Sequence, residues 1–250
     1  MKKISLLPVL FLLIQGFGPS FANAKAKFGP EPSPNATPLA VFHDFFLEDR
    51  APQFYALMSY YSPQKLHTSC SAASLANILN AARAYLIKSS EDRVITENDL
   101  IKNCNINHWS EKLTGETGYK GEFGVSLLDF KEIVEQAFRK YGFPHVTVEV
   151  FQIKDLSDKI SEHIVKDLKT VSMKTFIISN FDQWNFTDDV HVGHFSPIAS
   201  FDEKRASVLI LDTDREYFEP YWVSLKVFVN AMHTKYKDQY RGYLLINVNQ

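Results

Sequence analysis

Residues 71–87 ("SAASLANILNAARAYLI") contain neither glycine nor proline, whereas the chain beyond Met173 breaks into short apolar or β-branched stretches. That switch of texture constrains the fold more than any other feature. In the first run Leu75, Ile78, Leu79, Ala82 and Leu86 recur at helical spacing, which predicts an amphipathic helix with Thr68 or Ser69 as cap and Cys70 in its first turn. A second helix is predicted over residues 126–141, capped by Ser126 and stopped by Gly142 and Pro144, and a third over about residues 156–169. After Met173, residues 175–179 ("TFIIS"), 195–201 and 207–212 ("SVLILD") read as strands. A tight turn at residues 202–205 joins the last two as an antiparallel hairpin, and a short helix near 224–232 and a strand near 243–248 follow. Helices first and antiparallel strands later predict an α+β fold of two lobes.

The first 24 residues read as an export signal and stand apart from the fold. Lys2 and Lys3 precede an apolar run at residues 6–14, and Ala22, Asn23 and Ala24 form a small-residue cleavage site. That run is too short to span a bilayer, so the mature protein is expected to be soluble and exported from a bacterial cell, periplasmic or secreted. Residues 25–38 carry four prolines and no apolar periodicity, the composition of a linker, which leaves residues 39–250 as one domain. Two of the 27 basic residues leave with the signal, so 25 stand against 29 acidic ones, a net charge of −4. This balance argues against nucleic acid or anionic lipid as the main partner.

Only two cysteines are present, Cys70 and Cys104. An exported chain with two cysteines invites a disulfide, but the start of a helix also suits a nucleophile, because the partial positive charge there favours a thiolate. A nucleophile needs a base, and His194 in "GHFSPIAS" is the candidate, with Gly193 leaving room for close approach. In the predicted hairpin the start of one strand lies beside the end of the next, so His194 and Asp212 are expected to be neighbours although 18 positions apart. A carboxylate there would hold the imidazole and stabilise its protonated form. Gln64 and the backbone N–H of Cys70 are candidate donors to an oxyanion. Read singly, Cys70 is a small core residue, His194 a half-buried histidine and Gln64 a surface amide; only together do they suggest acyl transfer. A non-enzymatic metal-binding module is the rival from another class, resting on Cys104 with His108 and His191 with His194.

Gln64, Cys70 opening a helix that runs into "LANILNA", then "GHFSPIASF", "LILDTDR", "PYWVSL" and Ala231-Met232 together resemble the catalytic domain of the phytochelatin synthase family. The resemblance extends over about residues 52–248 and is densest over 193–232. It implies a papain-like fold acting on glutathione and γ-glutamylcysteine peptides. It further implies Cys70 as nucleophile, His194 as base, Asp212 as orienter and Gln64 as oxyanion donor. Arg215 and Arg241, with Gly193, fall at positions matching the family's γ-glutamylcysteine pocket, where a guanidinium can hold an α-carboxylate. No built-in cofactor or protein metal site is implied; a soft metal ion, cadmium or zinc, would enter as the thiolate complex of the substrate, and a homodimer is an allowed assembly. Ser71 departs from the family's usual glycine, and no lysine or arginine lies between Lys174 and His194, where Asp182 and Gln183 stand instead of an expected arginine. The resemblance is closest to the short bacterial members, which mainly hydrolyse. A general papain-like peptidase or transpeptidase acting on other peptides is the alternative enzyme.

Overall fold

A computed structural model of the protein describes residues 35–39, 46, 51–84, 86, 92–187 and 191–248. The expected export signal lies outside the described residues, as does most of the expected linker. The linker's last residues, Thr37–Pro38 (β1), pair with Trp222 and Tyr221 at the edge of the main sheet.

The first half of the chain is helical, with α1 (Pro52–Tyr60), α2 (Cys70–Arg83), α3 (Glu97–Asn103), α4 (Trp109–Thr114) and α5 (Leu127–Lys140). The helix predicted from residue 71 begins one residue earlier and ends at Arg83, with Ala84 as its C-cap. Its burial also differs from the amphipathic expectation, since every residue of α2 except Arg83 is buried. Small residues make that feasible: Ala, Ser and Asn let neighbouring elements approach on all sides, and each buried polar side chain finds a partner. Ser74 Oγ donates to the Phe195 carbonyl at 2.9 Å, and Asn80 Nδ2 donates to Ala76 and Ile95 carbonyls at 2.9 and 2.8 Å. α5 follows expectation, with the Ser126 hydroxyl accepting from Asp129 N–H at 3.1 Å and Gly142 beyond its end at φ 108°.

The second half supplies β2 (Thr147–Gln152), α6 (Asp158–Leu168), β3 (Thr175–Asp182), α7 (Trp184–Thr187), β4 (Gly193–Asp202), β5 (Ser207–Ile210), β6 (Tyr221–Ser224), α8 (Leu225–Met232), the small hairpin β7 (Lys235–Tyr236) and β8 (Gln239–Tyr240), and β9 (Gly242–Asn247). Seven strands form one antiparallel sheet in the order β1-β6-β5-β4-β3-β9-β2. The class is therefore α+β. Helices cover both faces of this sheet, not one end alone. Phe176, Ile178, Phe195, Leu244 and Ile246 pack toward α2 and α5, while Ile177, Phe181, Ile198, Tyr243 and Leu245 pack toward α6 and α8. Alternate residues of one strand thus enter opposite cores, which explains why these strands read as unbroken apolar runs.

Candidate active site

Residues before α2 fix the position of Cys70. Ser69 occupies the N-cap position but makes no side-chain cap; its hydroxyl instead bonds to the Leu66 carbonyl at 3.1 Å. Thr68 Oγ1 donates to the Leu113 carbonyl at 2.7 Å, and Trp109 Nε1 donates to Ser71 Oγ at 3.1 Å. The end of α4 and its buried Trp109 therefore brace the turn that presents the thiol. Ser71 is part of that brace, which gives a local reason for a hydroxyl there. Cys70 and Cys104 are both free and buried, so the disulfide reading does not describe this structure. Cys104 ends α3, and burial pushes its thiol pKa up, against the nearby Lys140.

The predicted hairpin forms, with Ile198 opposite Ile210, a bulge before Ser200 and Asp202 opposite Ser207. It brings His194 and Asp212 together: the His194 Nε2–H donates to Asp212 Oδ1 at 2.7 Å, and the two residues are 4% and 0% exposed. The Cys70 thiol lies near the imidazole, close enough to help raise its pKa, and both side chains line one cavity. Because Nε2 is taken by Asp212, the nitrogen facing the sulfur is Nδ1. Burial opposes a charged His194, but the Asp212 carboxylate and the Cys70 contact outweigh it and hold the imidazole pKa well above its ordinary value.

Asp212 sits among donors that residue spacing does not reveal. Tyr221 Oη donates to Oδ2 at 2.6 Å, the Asp214 backbone N–H donates to Oδ1 at 2.9 Å, and Tyr61 Oη donates to the Asp212 carbonyl. Burial acts to raise the Asp212 pKa; His194, Tyr221 and the Asp214 N–H reverse this, so the carboxyl lies below its ordinary value. Tyr221 belongs to the "PYWVSL" segment, but spacing alone assigns it no role; pairing of β6 with β5 brings it to the aspartate.

A cavity of about 200 Å3 opens over Cys70 and His194 and includes Gln64, Asn180, Gln183, Asp214 and Arg241 in its lining. Gln64 Nε2 makes only a long 3.5 Å contact to the His67 carbonyl, leaving the amide able to turn toward a new acceptor. Arg241, 7% exposed, is held by Nη1 donating to the Lys235 carbonyl at 2.6 Å and to Thr234 Oγ1 at 3.1 Å. Its Nε is buried and has no protein partner. Burial lowers the Arg241 pKa, against the neighbouring Asp182 and Tyr236. A Cβ on Gly193 would come within 2.8 Å of Arg241 Nη2, so the glycine makes space for the guanidinium. Gln183, where the resemblance leads one to expect an arginine, likewise has a buried Nε2 without a protein partner. Arg215 differs from its expected place: it is exposed, does not line the cavity, and its guanidinium covers the Tyr61 ring 4.8 Å from the centroid. The chain turns outward directly after Asp214, whose carbonyl accepts from Tyr217 and Phe218 N–H groups at 3.1 and 2.9 Å.

The family model for phytochelatin synthase matches residues 36–243. The chain belongs to the phytochelatin synthase family. Among curated relatives, glutathione gamma-glutamylcysteinyltransferase 1 of Arabidopsis thaliana is 26% identical over 217 residues, covering 83% of this chain and 39% of the relative. Glutathione gamma-glutamylcysteinyltransferase 2 of the same plant is 25% identical over the same share of this chain and 42% of the relative. A Schizosaccharomyces pombe protein of the same type is 43% identical over 56 residues, 22% of this chain and 14% of that protein. This phytochelatin synthase family chain thus spans about two fifths of the length of its Arabidopsis relatives. Within the phytochelatin synthase domain, His108 of the metal-module reading stacks on the Tyr119 ring at 3.8 Å between centroids, and the other two histidines meet aspartates. His191 Nδ1 pairs with Asp182 at 2.9 Å and His194 with Asp212, and among the described residues no three His, Cys, Asp or Glu side chains converge as a metal site. No helix among the described residues is long and apolar enough to cross a membrane.

Proposed function

We propose that this chain is a papain-like acyl-transfer enzyme that cleaves glutathione between cysteine and glycine. The observation that carries the proposal is His194, hydrogen-bonded to buried Asp212 and sharing one cavity lining with Cys70 and the buried Arg241. Arg241 has donors to spare for the α-carboxylate of the γ-glutamyl group. With its pKa raised, His194 holds the proton of the Cys70–His194 pair on Nδ1 as the sulfur attacks the cysteinyl carbonyl. Gln64 Nε2 and the Cys70 N–H, which belongs to the first turn of α2 and points out of the helix, stabilise the tetrahedral oxyanion. As the C–N bond breaks, the imidazolium returns its proton to the glycine nitrogen, leaving a γ-glutamylcysteinyl thioester on Cys70. Water then releases γ-glutamylcysteine, or the amine of a second thiol peptide takes the acyl group and gives a longer chain. A soft metal ion would take part as the thiolate complex of the substrate. The first 24 residues would direct this reaction outside the cytoplasm.

The test is to incubate the protein without its first 24 residues with glutathione and follow products by mass spectrometry, beside Cys70→Ala. Glycine and γ-glutamylcysteine that appear only with Cys70 support the reading, and oligomers of γ-glutamylcysteine would add transfer to it. Equal product from Cys70→Ala would overturn the mechanism. Faster cleavage of unrelated peptides than of glutathione would move the general peptidase to first place.

A further inference from the structure

The cavity carries charge of opposite sign on the two sides of His194. In the sheet, β3 and β9 lie on one side of β4, and β5 lies on the other. Arg241, directly before β9, and Asn180 and Gln183, at the end of β3, therefore stand on the first side. Asp214, four residues after the end of β5, stands on the second side with Gln64. The Gln64 N–H donates to the Thr213 carbonyl at 2.8 Å, and Thr213 Oγ1 donates to Gln64 Oε1 at 3.3 Å, so the oxyanion candidate and Asp214 belong to one wall. The titratable groups facing Asp214 are His194 from β4, Asp212 and Glu216 from its own segment, and His67 from the loop before α2. Asp214 is half-buried, and burial and the Asp212 and Glu216 carboxylates raise its pKa while His194 and His67 lower it.

With the γ-glutamyl carboxylate on Arg241, the acyl part of the substrate lies toward β9. The amine that leaves is then directed toward β5 and Asp214. In glutathione that amine is glycine, whose own carboxylate is one carbon away from the departing nitrogen. Two like charges brought together in a half-buried cleft repel more strongly than in bulk water.

We infer that Asp214 is a specificity-determining residue on the leaving-group side, disfavouring a free carboxylate beside the scissile nitrogen and favouring a neutral or cationic tail. The inference rests on the γ-glutamylcysteinyl reading of the site. The best substrates are then γ-glutamylcysteinyl-glycine amides or extended peptides, with free glutathione a poorer one. The same wall acts in the second step. A glutathione acceptor presents an amine with a carboxylate on the adjacent carbon, whereas water carries no charge, so hydrolysis gains over transfer.

The experiment compares glutathione with its C-terminal amide as substrates for the unaltered protein and for Asp214→Asn and Asp214→Ser, all of which keep the backbone N–H given to Asp212. The unaltered protein should prefer the amide by about tenfold in kcat/KM, and both variants should bring the ratio near one. A variant that merely disturbs His194 would slow both substrates together and leave the ratio unchanged. A ratio that survives in the variants, or is near one in the unaltered protein, overturns the inference while Cys70-dependent cleavage of glutathione still supports the function. If the unaltered protein cleaves neither substrate, the proposed function fails and the inference falls with it.

Discussion

Asp212 shows how much of a site resides in groups that never touch a substrate. A fully buried carboxylate is tolerated only when partners replace its lost water, and Asp212 has a hydrogen bond from His194, one from Tyr221 and one from the Asp214 backbone. Tyr221→Phe should therefore cost about 1–3 kcal/mol, the penalty for leaving a buried acceptor short of a donor. The Asp212 pKa is depressed, so its contribution to stability is present above the ordinary aspartate value and is lost as pH falls through the depressed value. Removing the Tyr221 donor raises that value, and the acid loss of stability in the variant should begin at higher pH. The raised pKa of His194 acts in the opposite sense: its contribution is complete below the ordinary histidine value of about 6.5 and is lost as pH rises through the raised one. Urea midpoints measured from about pH 3 to 9 check both limbs, and an acid limb unchanged in Tyr221→Phe would contradict the assigned hydrogen bond.

At the scale of elements, β9 does the most to assemble the site, because it pairs with β3 on one side and β2 on the other while delivering Arg241 to the cavity from its N-terminal end. Gly242 makes that pairing possible: a Cβ there would lie 1.8 Å from the Phe151 carbonyl oxygen, which belongs to the paired strand and cannot move aside alone. Gly242→Ala is expected to destabilise the domain by about 3 kcal/mol, as overpacking does, and to lower the urea midpoint; an unchanged midpoint would show that β2 can yield. Elements with a local signature were legible in the sequence. The cap at Ser126, the glycine beyond α5 and the turn at residues 202–205 each combine a residue type with a position. β2 and α1 carry no such signature, and β6, although it lies within "PYWVSL", does not read as a strand by itself, since short segments say little until the surface that covers them is known; α3 does carry one, the capping box of Thr96 and Asp99.

At the scale of the whole molecule, the cavity lies between the helical half and the sheet, and two long-range contacts cross one end of it. Lys237 pairs with Glu122, and Tyr236 Oη donates to the Phe123 carbonyl at 3.3 Å, joining the β7–β8 hairpin to the loop before α5. Phe123 and Tyr236 also line the cavity, so this junction limits its opening. Lys237→Glu would set two carboxylates against each other there. The KM for glutathione should rise about threefold at low salt, and the difference should shrink near about 0.5 M salt because the pair is exposed and screened. A KM insensitive to the reversal would show that the junction does not govern access. Sequence by itself determined the α+β class, the helix that begins at Cys70 and the hairpin that brings His194 to Asp212, because periodicity, caps and turns are properties of neighbouring residues. Tertiary structure alone decided that Arg241 is buried behind Gly193, that Arg215 is turned away, and that Tyr61 and Tyr221 support Asp212. Those facts depend on which distant strands pair and which faces they cover, and neither is encoded within a local stretch of chain.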